Sequence, residues 1–134
     1  MEKMNLGQFI ENLSSFPKSL LVVFITKTNK KYYPKIIKYH SEENNPKIFH
    51  SYRGYYCDIA ISIGKKITNH TVASILTDAN DSIDFQFTGY KGGYYTMNRN
   101  SYLWVSRWSE ANNYRCVKMT SDNSYVYIHI LKDN

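Results

Sequence analysis

Two short stretches of the sequence carry the same combination of residues: Tyr52-Arg53-Gly54-Tyr55-Tyr56 and Tyr90-Lys91-Gly92-Gly93-Tyr94-Tyr95. Each sets one cation beside glycine and among tyrosines. Glycine lets backbone amides come close to a ligand and turn towards an anion, while the guanidinium or ammonium supplies charge. The tyrosines add flat faces for a base and hydroxyls for its polar edges. Together these groups suit a phosphorylated, nucleotide-like ligand. They also suit a structural role, because aromatics flanking glycine cover sheet-forming hairpins while the cation stays solvated. Neither stretch is a standard phosphate loop: Lys91 precedes Gly92 and tyrosines follow, whereas a P-loop has lysine after its second glycine and then Ser or Thr. No dinucleotide fingerprint is present.

A second cluster comprises Trp104, Arg107, Trp108 and Arg115, on two expected strands that are able to pair. Paired, they alternate cations and rings across one sheet surface, a layout that stacks bases and contacts phosphates. The alternative is that Trp104 and Val105 point to opposite faces, one into the core, while the arginines are simply solvated or pair with Glu110. Asp58 is the best lone acid, placed to orient Arg53 or accept a ligand hydroxyl. Histidines 40, 50, 70 and 129 lack paired helical spacing, and Cys57 and Cys116 offer no local ligand pair, so no metal site and no cofactor are expected. With no nucleophile elbow either, no residue is assigned a catalytic role. The expected ligand-binding set is Tyr52, Arg53, Gly54, Tyr55, Asp58, Tyr90, Lys91, Gly92, Gly93, Tyr94, Trp104 and Arg107.

The elements that must position these groups follow from periodicity. Asn5 and Gln8 form a capping pair ahead of Leu6, Phe9, Ile10 and Leu13, which recur at helical spacing. A second helix is expected from about Thr71 to Ala79, where Val72, Ile75, Leu76 and Ala79 repeat that spacing and Asn69 or Thr71 caps it. Strands are expected at Leu20–Thr26, Tyr32–Tyr39, Tyr55–Ile63, Ile83–Phe87, Tyr102–Trp108, Arg115–Thr120 and Tyr125–Leu131, the last two as a hairpin. Pro34 demotes its segment to a sheet edge. His40–Pro46 and Gly89–Gly93 read as loop and turn. The pattern predicts one α+β domain over residues 1–134, a mostly antiparallel β-sheet with two short helices packed on one face.

The chain has 134 residues, 43% hydrophobic and 21% charged, so it can bury a real core without staples. Lys and Arg outnumber Asp and Glu by 17 to 11, a formal +6, and 13 tyrosines lift the aromatic share to 16%. Such a surface attracts anions. The longest apolar run, Leu20–Ile25, is far short of the roughly 20 residues of a membrane helix, so no membrane association is expected. Two cysteines without scaffold spacing and no leader-like start point to an intracellular chain with free thiols. Self-association through surface tyrosines is also expected, making a homo-oligomer one partner mode.

Met4-Asn5-Leu6-Gly7-Gln8-Phe9-Ile10, the run Ser51-Tyr52-Arg53-Gly54-Tyr55-Tyr56-Cys57-Asp58-Ile59-Ala60, Thr71-Val72, Thr88-Gly89-Tyr90-Lys91-Gly92-Gly93 with Met97, and Leu103-Trp104-Val105 resemble, in this order, a family of small uncharacterised bacteriophage and prophage proteins. The likeness covers nearly the whole chain. It departs at Ser101-Tyr102 and Ser106-Arg107-Trp108, where the family pattern has Thr-Pro and a Tyr-Gly. The resemblance implies a phage origin and the cytoplasm of an infected bacterial host, but no activity, cofactor or catalytic residue. Small phage proteins of this kind often blunt host defence. Joined to the repeated motif, that origin gives the leading expectation: a non-catalytic counter-defence protein that sequesters a phosphorylated, nucleotide-derived small molecule. The alternative is an inhibitor that covers a host defence protein or nucleic-acid complex through a basic aromatic surface. A nucleotide-cleaving enzyme, with Asp58 or a histidine as general base, is the third.

Overall fold

A computed structural model describes residues 4–36, 47–52, 58–88, 94–107 and 113–132. Two helices, α1 (Leu6–Ser14) and α2 (Val72–Ser82), accompany strands β1 (Leu21–Thr26), β2 (Lys31–Pro34), β3 (Phe49–Tyr52), β4 (Asp58–Gly64), β5 (Gln86–Thr88), β6 (Tyr94–Thr96), β7 (Leu103–Arg107), β8 (Asn113–Ser121) and β9 (Tyr125–Lys132). Both helices begin at reciprocal caps. Gln8 donates its backbone N–H to Asn5 Oδ1 at 2.8 Å, and Asn5 donates its own to Gln8 Oε1 at 2.9 Å. At α2 the pair is Thr71 and Ser74. These side chains satisfy amide donors that the first helical turn otherwise leaves without partners.

The α+β content matches the sequence pattern, but the sheet is not open. Its strand order is β2-β1-β9-β8-β7-β4-β3, and β2 also pairs with β4, which closes six of the strands into a barrel with β3 outside the ring. The β1–β9 and β4–β7 pairings are parallel. The β1–β2, β2–β4, β3–β4, β7–β8 and β8–β9 pairings are antiparallel. Closure overturns the edge assignment made from Pro34. Proline stands last in β2, opposite Ile63, where its missing donor costs nothing because the next bond to β4 comes from the Lys35 N–H to the Ser62 carbonyl at 2.9 Å. The Pro34 carbonyl accepts from Thr68 Oγ1.

Val22, Phe24, Tyr32, Ile59, Ile61, Ile63, Leu103, Val105, Tyr114, Cys116, Val126, Ile128 and Ile130 of the barrel form one buried core with Leu6, Phe9, Leu13, Val72, Ile75 and Ala79 of the helices. Phe9 meets Phe49 edge to face, with ring centroids 6.4 Å apart, tying α1 to β3. The expected β8–β9 hairpin is present, with a bulge between Cys116 and Lys118 that moves the inward-facing set from Cys116 to Met119. The Cys116 thiol is fully buried and pushed up to about 12, so it is inert as a nucleophile.

Strand directions give the barrel two distinguishable ends. At the upper end β1, β4, β7 and β9 finish and β2 and β8 begin. Both helices start at the lower end: the Leu6 N–H binds the Ser101 carbonyl just before β7, and the Val72 N–H binds the Leu20 carbonyl just before β1.

Candidate functional site

The two repeated motifs fall at the joins of two hairpins, displaced by two positions relative to the strand ends. β3 and β4 are antiparallel with Tyr52 opposite Asp58, so residues 53–57 form the five-residue connection between them. β5 and β6 are antiparallel with Thr88 opposite Tyr94, so residues 89–93 form a connection of the same length. Arg53, Gly54 and Tyr55 fall in the first connection, and Tyr90, Lys91, Gly92 and Gly93 in the second; all lie outside the described residues, as does Trp108. Asp58 opens β4 and Tyr52 ends β3. Tyr94, the first residue of β6, is 69% exposed. Cα atoms of β3 and β5 come within 8 Å of one another, so the two hairpins are neighbours.

Helix α2 is the common base of both hairpins. Asp78 on its partly buried side accepts the backbone N–H groups of Lys47 and Ile48 at 2.8 and 2.7 Å, fixing the chain just before β3. At the C-terminal end of α2, Ile83 bridges Met97 and the Asp84 N–H binds the Met97 carbonyl, so the exit of β6 returns to the entry of β5. Asp84 takes φ of 61°, a left-handed turn that an aspartate accommodates better than most residues. Phe85 and Phe87 pack edge to face at 4.7 Å beneath that turn.

Burial raises the Asp78 carboxyl above its ordinary value, against the pull of the two N–H donors. Sequence reasoning missed this residue because the helical apolar stripe drew attention to its neighbour Ala79. The available signal was a carboxylate beside that stripe. Asp78→Ala strands two backbone donors and is expected to cost about 1–3 kcal/mol in a urea titration, whereas Asp78→Asn keeps one acceptor oxygen and recovers most of it.

The second cluster does not form one surface. Trp104 and Arg115 are direct cross-strand partners, as expected if β7 and β8 pair. Arg107, three residues on from Trp104, points to the opposite face, beside inward-facing Ile63. There it donates to Tyr32 Oη at 2.9 Å, with its guanidinium carbon 4.5 Å from the centre of that ring. This contact ties the end of β7 to β2 inside the barrel mouth. Trp104 is only 4% exposed and packs edge to face against Tyr102 at 4.7 Å, so it is no open stacking platform.

Of the histidines, His50 is buried on β3, and His70 and His129 are held below their ordinary value of 6.5, chiefly by burial. Asp78 opposes the shift at His70, and Lys118 adds to it at His129. For both, the fold favours the neutral imidazole. Their contribution to stability is therefore complete above pH 6.5 and is lost as pH falls through the lowered folded value. Asp78 works in the opposite sense, its contribution present below 3.8 and lost as pH rises through the raised folded value. Between about pH 7 and 5.5 the histidine effect is expected to lower the urea midpoint, and His70→Gln/His129→Gln to flatten that decline.

Among the described residues no group of three or more His, Cys, Asp or Glu side chains is arranged to hold a metal ion. No helix there is long and apolar enough to cross a membrane. No family model, curated protein or solved structure matches the chain.

Proposed function

We propose that the two hairpin connections, 53–57 and 89–93, form one binding site for a phosphorylated, nucleotide-derived small molecule, and that the protein, phage-encoded and directed against host defence, sequesters this molecule without altering it. The observation that carries this reading is that the two Tyr-cation-Gly segments fall where the strands of two hairpins are joined, β3 to β4 and β5 to β6, and that β3 and β5 approach one another. Two copies of one device are most useful converging on one ligand. Arg53 and Lys91 neutralise phosphates, Gly92 and Gly93 bring backbone amides to an anion, and Tyr52, Tyr55, Tyr90 or Tyr94 stacks on the base. Asp58 receives a ligand hydroxyl or steadies Arg53.

The test is a calorimetric titration of the purified protein with cyclic and ADP-ribose-like nucleotides. Saturable binding of at least one, abolished when Arg53 and Lys91 are both replaced by Ala, is the expected result. Failure of the whole panel shifts weight to an inhibitor that acts on a host macromolecule.

A further inference from the structure

The upper end of the barrel gathers the chain's positive charge, and this feature lies apart from the hairpin site. Lys27 and Lys30 stand in the β1–β2 turn, Lys31 opens β2, Lys65 and Lys66 follow β4, Arg107 ends β7 and Lys132 ends β9. All six lysines are exposed. Of the carboxylates among the described residues, Glu11, Asp81 and Asp84 lie on or beside the helices, Asp58 opens β4 and Asp122 stands in the β8–β9 turn at the lower end, while Asp78 is turned onto the chain just before β3, which lies outside the closed ring. In sequence, Glu110 falls between β7 and β8 and Asp133 follows β9. Among the described residues, none of the turns and strand ends that carry these seven cations holds a carboxylate.

The lysines are also ordered along the rim. Strands β9, β1, β2 and β4 are consecutive neighbours in the closed ring, so Lys132, Lys27, Lys30, Lys31, Lys65 and Lys66 follow one arc. Three inter-strand steps of about 4.8 Å make that arc roughly 14 Å long. The β1–β2 turn is held by its own hydrogen bonds: the Thr26 N–H binds the Lys30 carbonyl, the Lys30 N–H binds Thr26 Oγ1, and Asn29 takes φ of 67°. These lysines therefore project from a fixed turn. One strand of B-DNA advances about 3.4 Å per phosphate, so about four phosphates span the same length. Lysine meets phosphate as a point charge, without the forked geometry that reads a base edge.

From this complementarity we infer that the upper rim binds the phosphate backbone of duplex nucleic acid without sequence preference. Residues 53–57 enter β4 at its lower end and Lys65–Lys66 leave it at the upper end, so this surface and the hairpin site are separated by the length of the strand. The rim site goes beyond the sequestration reading and does not depend on it.

The test is fluorescence anisotropy of a labelled mixed-sequence DNA duplex of about 20 base pairs, titrated between about 50 and 200 mM KCl. With about four phosphates neutralised, log K is expected to fall against log salt with a slope of roughly −3 to −4, about a hundredfold loss across that range. K27Q/K30Q/K31Q and K65Q/K66Q should each weaken binding at low salt and reduce the slope by about one for each phosphate left without its lysine. K18Q/R99Q, at the lower end, should match the parent, and all variants should keep the parent's circular dichroism spectrum and nucleotide binding. The inference is overturned if the parent does not bind at the lowest salt, if both rim variants bind like the parent, or if phosphatidylserine-containing vesicles bind the rim more tightly than the duplex does.

Discussion

Ile75→Ala is expected to destabilise the fold by about 2–5 kcal/mol. Ile75 is fully buried on α2, in the same cluster as Phe9 and Leu13 of α1 and the inward-facing isoleucines of β4. Truncation removes methyl and methylene groups from water-free packing and leaves a cavity that closed strands cannot readily collapse into. The loss is a large share of the 5–15 kcal/mol that typically holds a domain together. It also loosens the helix from which both hairpins are set, so the effect reaches the proposed site through stability. A urea titration should show a lower midpoint with an unchanged slope. A shift of only a few tenths of a kcal/mol would contradict the packing described for this face of α2.

The second large effect concerns binding. Arg53→Ala or Lys91→Ala should each remove a charge-assisted hydrogen bond worth about 1.5–3 kcal/mol, a ten- to hundredfold loss in affinity, with circular dichroism unchanged. Asp58→Asn should do much less. A nucleotide-cleaving enzyme reverses that ranking: loss of Asp58 as general acid or base cuts turnover about a hundredfold or more while ligand binding is nearly unchanged. Affinity and turnover measured on the three variants separate the two mechanisms. Turnover by the parent that collapses in the Asp58 variant would reject sequestration.

Much of the local structure was legible in the sequence because it is encoded locally. Asn5 with Gln8 and the apolar positions of both helices mark their starts and buried faces within a few residues, and the β8–β9 hairpin is joined by a short turn. Closure of the barrel was not legible. It rests on a two-residue pairing of Tyr33 and Pro34 with Gly64 and Ile63, about 30 positions away, and the proline argued against it. The four-residue β3, with His50 and Ser51 between aromatics, and the three-residue β6 are too short for alternation to show. Within the second cluster, spacing alone contained the answer for Arg107: three residues from Trp104 on a strand is the opposite face. The two strands do pair, but Trp104 is nearly buried beside Tyr102 and Arg107 turns onto Tyr32.

The chemical fate of the captured molecule tests the central claim most directly. The protein is incubated with a nucleotide it binds, separated from free ligand, denatured, and the released molecule identified by chromatography and mass spectrometry. Sequestration predicts recovery of the intact nucleotide in stoichiometric amount after prolonged incubation. Recovery of a cleaved or otherwise altered product, formed by the parent protein and not by a heat-inactivated control, would contradict it.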